Sequence, residues 1–251
     1  MAKQSGPLSI RGTIGNLTHR RTQDGDIVQR KTSIDRERFM NDPVFEGSRG
    51  GMNEFTLAGR AAGLLGKVFR EGIAKCCDNR IQSRLTQKLQ KVISADSVSK
   101  NGERNLLMGD ILLLNNFWWN KDAQISNIMG APYRVTVDRT TGEVKFSIPS
   151  FVPDELLKSH PTATHFQIIA SSAEVDWIDN GRRAAVAKTD FTLMGEIPTK
   201  DFTAVLPLTK NSTLPIVSCL AIRWYQSIAG EMVGLYDKKY NTAGVVDVNV
   251  G

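Results

Sequence analysis

Hydrophobic and polar positions change period twice along this chain, and each change predicts a different kind of element. From Leu8 to Ser33 the pattern reads as a short strand followed by a hairpin. Thr13-Ile14-Gly15-Asn16 marks a bend, and Asp24-Gly25 is a hairpin turn signal between Leu17–Thr22 and Asp26–Lys31. Thr18, Arg20 and Thr22 alternate onto one face and Leu17, His19 and Arg21 onto the other, while the returning strand adds only Ile27 and Val28. A hairpin this poor in apolar surface is marginal in water without something to lie against.

Asn41-Asp42-Pro43 and Gly47-Ser48-Arg49-Gly50-Gly51 read as a turn-rich connector. Asn53 is then an N-cap candidate for a helix running to about Cys77. Phe55, Ala58, Ala62, Leu65, Phe69, Ile73 and Cys76 recur every three or four residues, the helical period. Gly59, Gly63 and Gly66 fall within that helix, and each lowers intrinsic helicity by roughly 1 kcal/mol against Ala. With Ala62 they predict close approach of another backbone, within the chain or between chains. Asn79 with Gln82 resembles a capping box for a second helix, Arg80 to Ile93, striped by Ile81, Leu85, Leu89 and Val92.

From Ile111 the period falls to two. Tyr133, Val135 and Val137 alternate with polar residues, Thr140-Thr141-Gly142 turns the chain, and Val144, Phe146 and Ile148 return it. Further strands are predicted over 165–171, 173–178, 183–188, 203–206, 216–226, 232–236 and 245–250, with Asp179-Asn180-Gly181 and Ala229-Gly230 as turns. The expected class is α+β: an arm over residues 1–50, a helical pair over 51–105, and an immunoglobulin- or fibronectin-like β-sandwich over 106–251.

Composition narrows the classes. Hydrophobic content of 41% and charged content of 23% suit a globular protein. No apolar run approaches the roughly 20 residues needed to cross a bilayer. The N-terminus lacks the apolar core of a secretory signal, so a cytoplasmic location with no membrane association is expected. Cys76, Cys77 and Cys219 form neither a disulfide framework nor a metal spacing and read as buried free thiols. The net charge of +6 is uneven. Residues 1–105 carry 19 Lys and Arg against 11 Asp and Glu, and residues 106–251 carry 13 against 15. A positive and a slightly negative half could dock head-to-tail in neighbouring copies, and a basic half could equally bind nucleic acid.

Motifs for chemistry are weak. A phosphate loop ending at Gly66-Lys67 would need Gly where Ala61 stands and a hydroxyl where Val68 stands. His160 and His165 are split by Pro161, and His19 is remote in sequence. The paired carboxylates Asp154-Glu155 and Asp176/Asp179 read as solvated turns. No catalytic constellation, cofactor or metal is therefore expected, and the protein reads as a non-enzyme. Arg11, Arg20, Arg21, Arg30, Lys31, Arg36 and Arg38 are the strongest charge signal, yet residues 1–38 contain no Phe, Tyr or Trp for base stacking. Trp118-Trp119 after Phe117 suggests a strand between helices and sheet, or a subunit contact.

Gly12-Thr13-Ile14-Gly15-Asn16-Leu17, Val28-Gln29-Arg30-Lys31 and Asn41-Asp42-Pro43-Val44-Phe45 resemble the start of small uncharacterised proteins common in Bacteroidota. That resemblance covers roughly residues 10–70 and implies a small-residue-rich helix and a β-rich C-terminal half, with no mechanism attached. The expected role is structural: many identical copies joined head-to-tail by arm exchange into a filament, tube or phage-tail-like polymer. The interface residues expected are Arg11, Leu17, Arg20, Arg21, Ile27, Val28, Arg30, Gly59, Ala62, Gly63 and Trp119. The alternative is a nucleic-acid-binding accessory protein using the basic half.

Overall fold

A computed structural model of the chain describes residues 2–4, 10–31, 34–179 and 181–250. Leu8, Ser33 and Asn180, which the sequence pattern assigns to the arm and to a turn, lie outside the described residues. The chain divides into two compact units, Met1–Arg49 and Gly50–Gly251.

In the first unit, β1 (Ala2–Lys3), β2 (Gly12–Ile14), β3 (Leu17–Thr22) and β4 (Gly25–Arg30) form one antiparallel sheet in the order β1-β4-β3-β2. The predicted hairpin is present, with Gly25 at φ +110 allowing the turn that Asp24-Gly25 announces. Helix α1 (Arg36–Asn41) follows, N-capped by Asp35, whose carboxylate accepts from the backbone N–H groups of Glu37 and Arg38. Asp42 caps the next turn, Pro43–Phe45, which leads into α2 (Glu46–Val68).

Helix α2 therefore begins earlier than its sequence suggests, and the glycine-rich stretch at 47–51 is helical instead of a connector. Packing supplies the reason at Gly50. A Cβ there would sit 3.1 Å from Asn101 backbone atoms, and one on Gly102 would come 2.6 Å from the Gly50 Cα. Only two glycines let the backbones meet this closely. Two more helices follow, α3 (Arg70–Ile73) and α4 (Ile81–Ser94). Helix α4 has Arg80 at its N-cap with no side-chain cap, so the Asn79–Gln82 capping box is not formed; Asp78 instead accepts from Arg80 N at 2.7 Å in the turn that precedes the helix.

The β-rich part holds α5 (Ile125–Ile128), β5 (Arg134–Asp138), β6 (Glu143–Ile148) and α6 (Pro153–Leu156). It continues with β7 (His165–Val175), β8 (Arg182–Lys188), β9 (Thr192–Leu193) and β10 (Phe202–Pro207). It ends with β11 (Ile216–Ile228), β12 (Glu231–Leu235) and β13 (Thr242–Asn249). Six of these strands make one antiparallel sheet centred on the β7–β11 pair; β10-β6-β5 make a second. The residues over 165–175 form one strand, where the sequence suggests two. Ser171 and Ser172 do not break it, because their hydroxyls meet Cys219 O at 3.5 Å and Ser218 Oγ at 2.9 Å.

The architecture is α+β in three layers: helices, large sheet, small sheet. Alternate residues of β7 and β11 face opposite cores. Ile169, Ala173, Val175, Val217, Cys219 and Ala221 pack against Leu65, Phe69, Leu89 and Ile93 of the helical segment. Phe166, Ile168, Leu220, Ile222 and Trp224 pack against Val144, Phe146, Ile148 and Leu206 of the small sheet. Each buried Val, Leu, Ile or Phe among them contributes roughly 1.5–3 kcal/mol. Because helices and sheet share a core, residues 51–105 and 106–251 are layers of one unit, not separate domains.

The segment around the tryptophans is not a strand of the sheet. Ile111–Leu114 is a 3-10 turn, Asn116 takes φ +59, and residues 116–119 then run along the edge of β13. There Asn116 N donates to Val245 O, Val245 N to Phe117 O, and Trp119 N to Ala243 O. Arg84 and Asp78 pin the segment from the helical side: Arg84 donates to Asp78 and to Trp118 O, and Lys121 N donates to Asp78.

Two predictions follow from these contacts. A Cβ on Gly244 would fall 2.2 Å from Trp118 Cε3, so Gly244→Ala should lower stability by roughly 1–3 kcal/mol in urea denaturation. A midpoint equal to wild type would disprove that contact. Asp96 accepts backbone N–H groups of Val98, Ser99 and Asn105, and this holds its carboxyl at about 2, below the ordinary 3.8. A depressed folded-state value stabilises above the unfolded value and is lost as pH falls through the folded one. The stability gap between wild type and Asp96→Asn should therefore be full at pH 7 and shrink between about 4 and about 2.

Candidate subunit interface

Cross-strand partners share a sheet face, so the pairing of the first unit defines two surfaces. One carries Ala2, Gly12, Ile14, Leu17, His19, Arg21, Asp26, Val28 and Arg30. The other carries Lys3, Thr13, Thr18, Arg20, Thr22, Ile27 and Gln29. The first is apolar along Ile14, Leu17 and Val28. The second is a cationic, hydroxyl-bearing surface. Arg20 and Arg21, adjacent in sequence, consequently point to opposite faces.

Neither face makes a core. None of the described residues from 2 to 49 is buried, and Ile14 and Leu17 are 60% and 46% exposed. Local polar contacts hold the sheet together: Thr13 Oγ1 lies 3.2 Å from Thr18 Oγ1, Thr22 Oγ1 donates to Gly25 O, and Lys31 N donates to Asn16 O. Residues 1–31 carry six Lys and Arg against two Asp. The arrangement offers extended, charged, partly apolar surface.

The expected interface residues separate into three groups. Arg11, Leu17, Arg20, Arg21 and Arg30 are exposed, and Ile27 and Val28 are half-buried, all on the arm. Gly59 and Gly63 lie on α2 with nothing within 4 Å of where a Cβ would stand, so among the described residues no other backbone approaches them there. Ala62 does not share that stripe; it is fully buried in the core beneath the helix. Trp119 is also corrected: it is 1% exposed, tilted against Phe69 and edge-on to Phe117, and a neighbouring subunit cannot reach it.

The remaining chemistry-bearing side chains are accounted for structurally. Cys76 and Cys219 are free and buried, and burial pushes both thiols up to about 12. Cys77 is raised to about 11 by the same cause. His160 Nδ1 accepts from Thr162 N, and His165 Nδ1 lies 2.9 Å from Thr164 Oγ1. Asp176 caps its own turn by accepting from Ile178 N and Asp179 N. Among the described residues no group of three or more His, Cys, Asp or Glu is placed to hold a metal ion, and no helix is long and apolar enough to cross a membrane.

What the sequence did not reveal is a cleft of about 740 Å³ beside residues 188–202, with Phe151 and Phe166 in its lining. The loop residues that form it, Asp190 to Asp201, carry no periodic signal. A second cavity of about 620 Å³ lies between α2 and residues 105–108.

No protein-family model matches this chain, and no curated protein matches it. A solved structure described as "pH-induced modulation of Streptococcus parasanguinis adhesion by Fap1 fimbriae" is similar over 54% of this chain and 88% of the other. Its identity is 11% and its TM-score 0.27, too loose a superposition to carry an argument.

The open glycine stripe gives a prediction of its own. Gly59→Ala and Gly63→Ala add a methyl into free space and remove the helix penalty, so each should raise stability by up to about 1 kcal/mol. Ala62→Leu must expand a filled core and should lower stability by roughly 1–3 kcal/mol. Thermal melts of the three variants test both; a stabilised Ala62→Leu would contradict the packing around α2.

Proposed function

We propose that the protein is a structural, self-assembling subunit, many copies of which are joined head-to-tail through the N-terminal arm. One observation carries this reading: a four-stranded sheet in which no described residue is buried. Strands with both faces wet gain almost nothing from the hydrophobic effect, and such a sheet is stabilised when another surface covers it. Among the described residues the short strands β1 and β2 stand at the two ends of this sheet, the position from which main-chain pairing with a neighbour is made. A heterologous contact of this kind extends into a helical polymer when its rotation does not close a ring.

The immunoglobulin- or fibronectin-like reading of the β-rich part is kept as part of this proposal, supported by the two face-to-face antiparallel sheets. Cytoplasmic residence, absence of enzymatic activity and kinship with the Bacteroidota family belong to the same reading. One observation favours the second reading, nucleic-acid binding: Lys3, Arg20 and three threonines gather on a single face of the arm.

Full-length protein should therefore assemble with rising concentration in light scattering and form polymers in negative-stain microscopy that survive nuclease. Removing residues 1–34 should leave a folded monomer. Reversing Arg20 and Arg21 to Glu should raise the critical concentration without unfolding the chain, each exposed ion pair being worth about 0–1 kcal/mol. One molar salt should act in the same direction, since screening shortens to about 3 Å. Assembly by the truncated chain refutes the proposal, and complexes that vanish with nuclease move the assignment to nucleic acid.

A further inference from the structure

The arm needs a receiving surface, and the cleft beside residues 188–202 has the matching chemistry. Its lining includes an apolar set, Phe151, Phe166, Phe191, Leu193 and Ile197. The last three are 45%, 57% and 75% exposed. Exposed apolar side chains gathered at one concave site mark a place where something docks.

The rim is acidic. Asp190, Glu196 and Asp201 are exposed around the opening, with Lys188 and Lys200 as the cations. Lys188 is engaged elsewhere: its Nζ lies 2.7 Å from Glu71 Oε1, and that pairing lowers the Glu71 carboxyl below its usual range. With Lys188 so engaged, the rim sets three carboxylates against Lys200.

The loop that builds the cleft is held in place before any partner arrives. Met194 N donates to Thr164 O at 2.9 Å, and Asp154 N donates to Gly195 O at 3.2 Å. Farther on, Thr199 N donates to Phe151 O at 2.9 Å, and Ser150 N donates to Asp201 Oδ1 at 2.7 Å. Phe191 is edge-on to Tyr225 at 4.7 Å. A preformed site avoids much of the ordering entropy that weakens docking on mobile loops.

At the β2–β3 turn of the arm the chemistry is complementary. Ile14 and Leu17 are direct cross-strand partners, side by side and exposed, flanking the turn Gly15-Asn16. Arg30 pairs with Leu17 on the same face, and Lys31 is tied to the turn through its bond to Asn16 O. This is an apolar tip inside a cationic collar. We infer that the tip Ile14–Leu17 of one copy inserts into the 188–202 cleft of a second copy, with Arg30 and Lys31 meeting Asp190 and Glu196. The inference rests on the assembly reading and names its acceptor.

Two variants of the full chain test it. In the tip variant, Ile14→Thr with Leu17→Thr removes the apolar pair and keeps strand propensity. In the cleft variant, Asp190→Lys with Glu196→Lys reverses the rim. Each alone should raise the critical concentration roughly tenfold or more, a loss of about 1.4 kcal/mol per interface. Mixed together, the tip variant supplies an intact cleft and the cleft variant an intact tip, so mass photometry should find dimers and no polymer. Ile197→Asp, at a side chain already 75% exposed, repeats the cleft test without a charge reversal. A cleft variant and Ile197→Asp that both assemble as wild type does would overturn the acceptor and leave assembly standing. So would a mixture that stays monomeric. A wild type monomeric at every concentration would overturn both.

Discussion

Strands β7 and β11 pair antiparallel from His165–Tyr225 to Glu174–Ile216, and nine of the eleven residues of β7 and eight of the thirteen of β11 are buried. The ladder separates two cores that would otherwise each be a thin, half-covered layer. Its helix-facing side chains complete the packing of α2 and α4, while its other face completes the small sheet. Loss of this pairing would expose both cores at once. Several buried polar groups on it are matched: the Ser172–Ser218 hydroxyl pair, Glu174 accepting from Thr209 N, and Asn241 accepting from Trp224 N at 3.1 Å. Burying such groups without partners would cost about 1–3 kcal/mol each.

From that ladder the rest of the second unit is positioned by specific tethers. Arg223, next to the end of the ladder, donates to the backbone oxygens of Glu71 and Gly72 and so fixes α3 against β11. Gly72 permits the approach, since a Cβ there would meet Ser171 Oγ at 2.5 Å. On the other side Arg139 gathers Leu214 O, Asn249 O and Asn249 Oδ1 at 2.7–3.0 Å, joining the β5–β6 turn to the C-terminal strand. Few of these tethers are apolar. They are guanidinium-to-carbonyl contacts, which fix direction as well as distance.

Much of this was legible in the sequence where a single period dominates. The hairpins 17–30 and 134–148 follow from alternation and from Gly25 and Gly142 at positive φ. Strands 202–207, 216–228 and 242–249 were visible as short apolar runs. The failures share a cause: a tertiary partner outweighed a local preference. Glycines 50 and 51 continue a helix because Gly50 must meet Gly102; Trp118 and Trp119 lie along an edge because Arg84 and β13 hold them there. The cleft was invisible because residues 190–201 hold only the two-residue strand β9, and their placement depends on its pairing with β7 and on backbone bonds to Phe151, Asp154 and Thr164 that are distant in sequence.

The two units therefore obey different energetics. Ordering a residue costs roughly 1–2 kcal/mol of backbone entropy, and burial must supply most of the return. In the second unit that return comes from two cores. In the first, Ile14, Leu17, Ile27 and Val28 are nearly all the apolar surface the described strands possess; the first two are exposed and the last two only half-buried. Hydrogen bonds in water add only about 0.5–1.5 kcal/mol net each. The same residues would return far more beneath a second molecule, where their area leaves water and the arginines meet carboxylates. Under the proposed assembly a second copy supplies the missing layer, and Arg20, Arg21 and Arg30 keep both faces of the sheet polar enough to resist indiscriminate strand pairing until then.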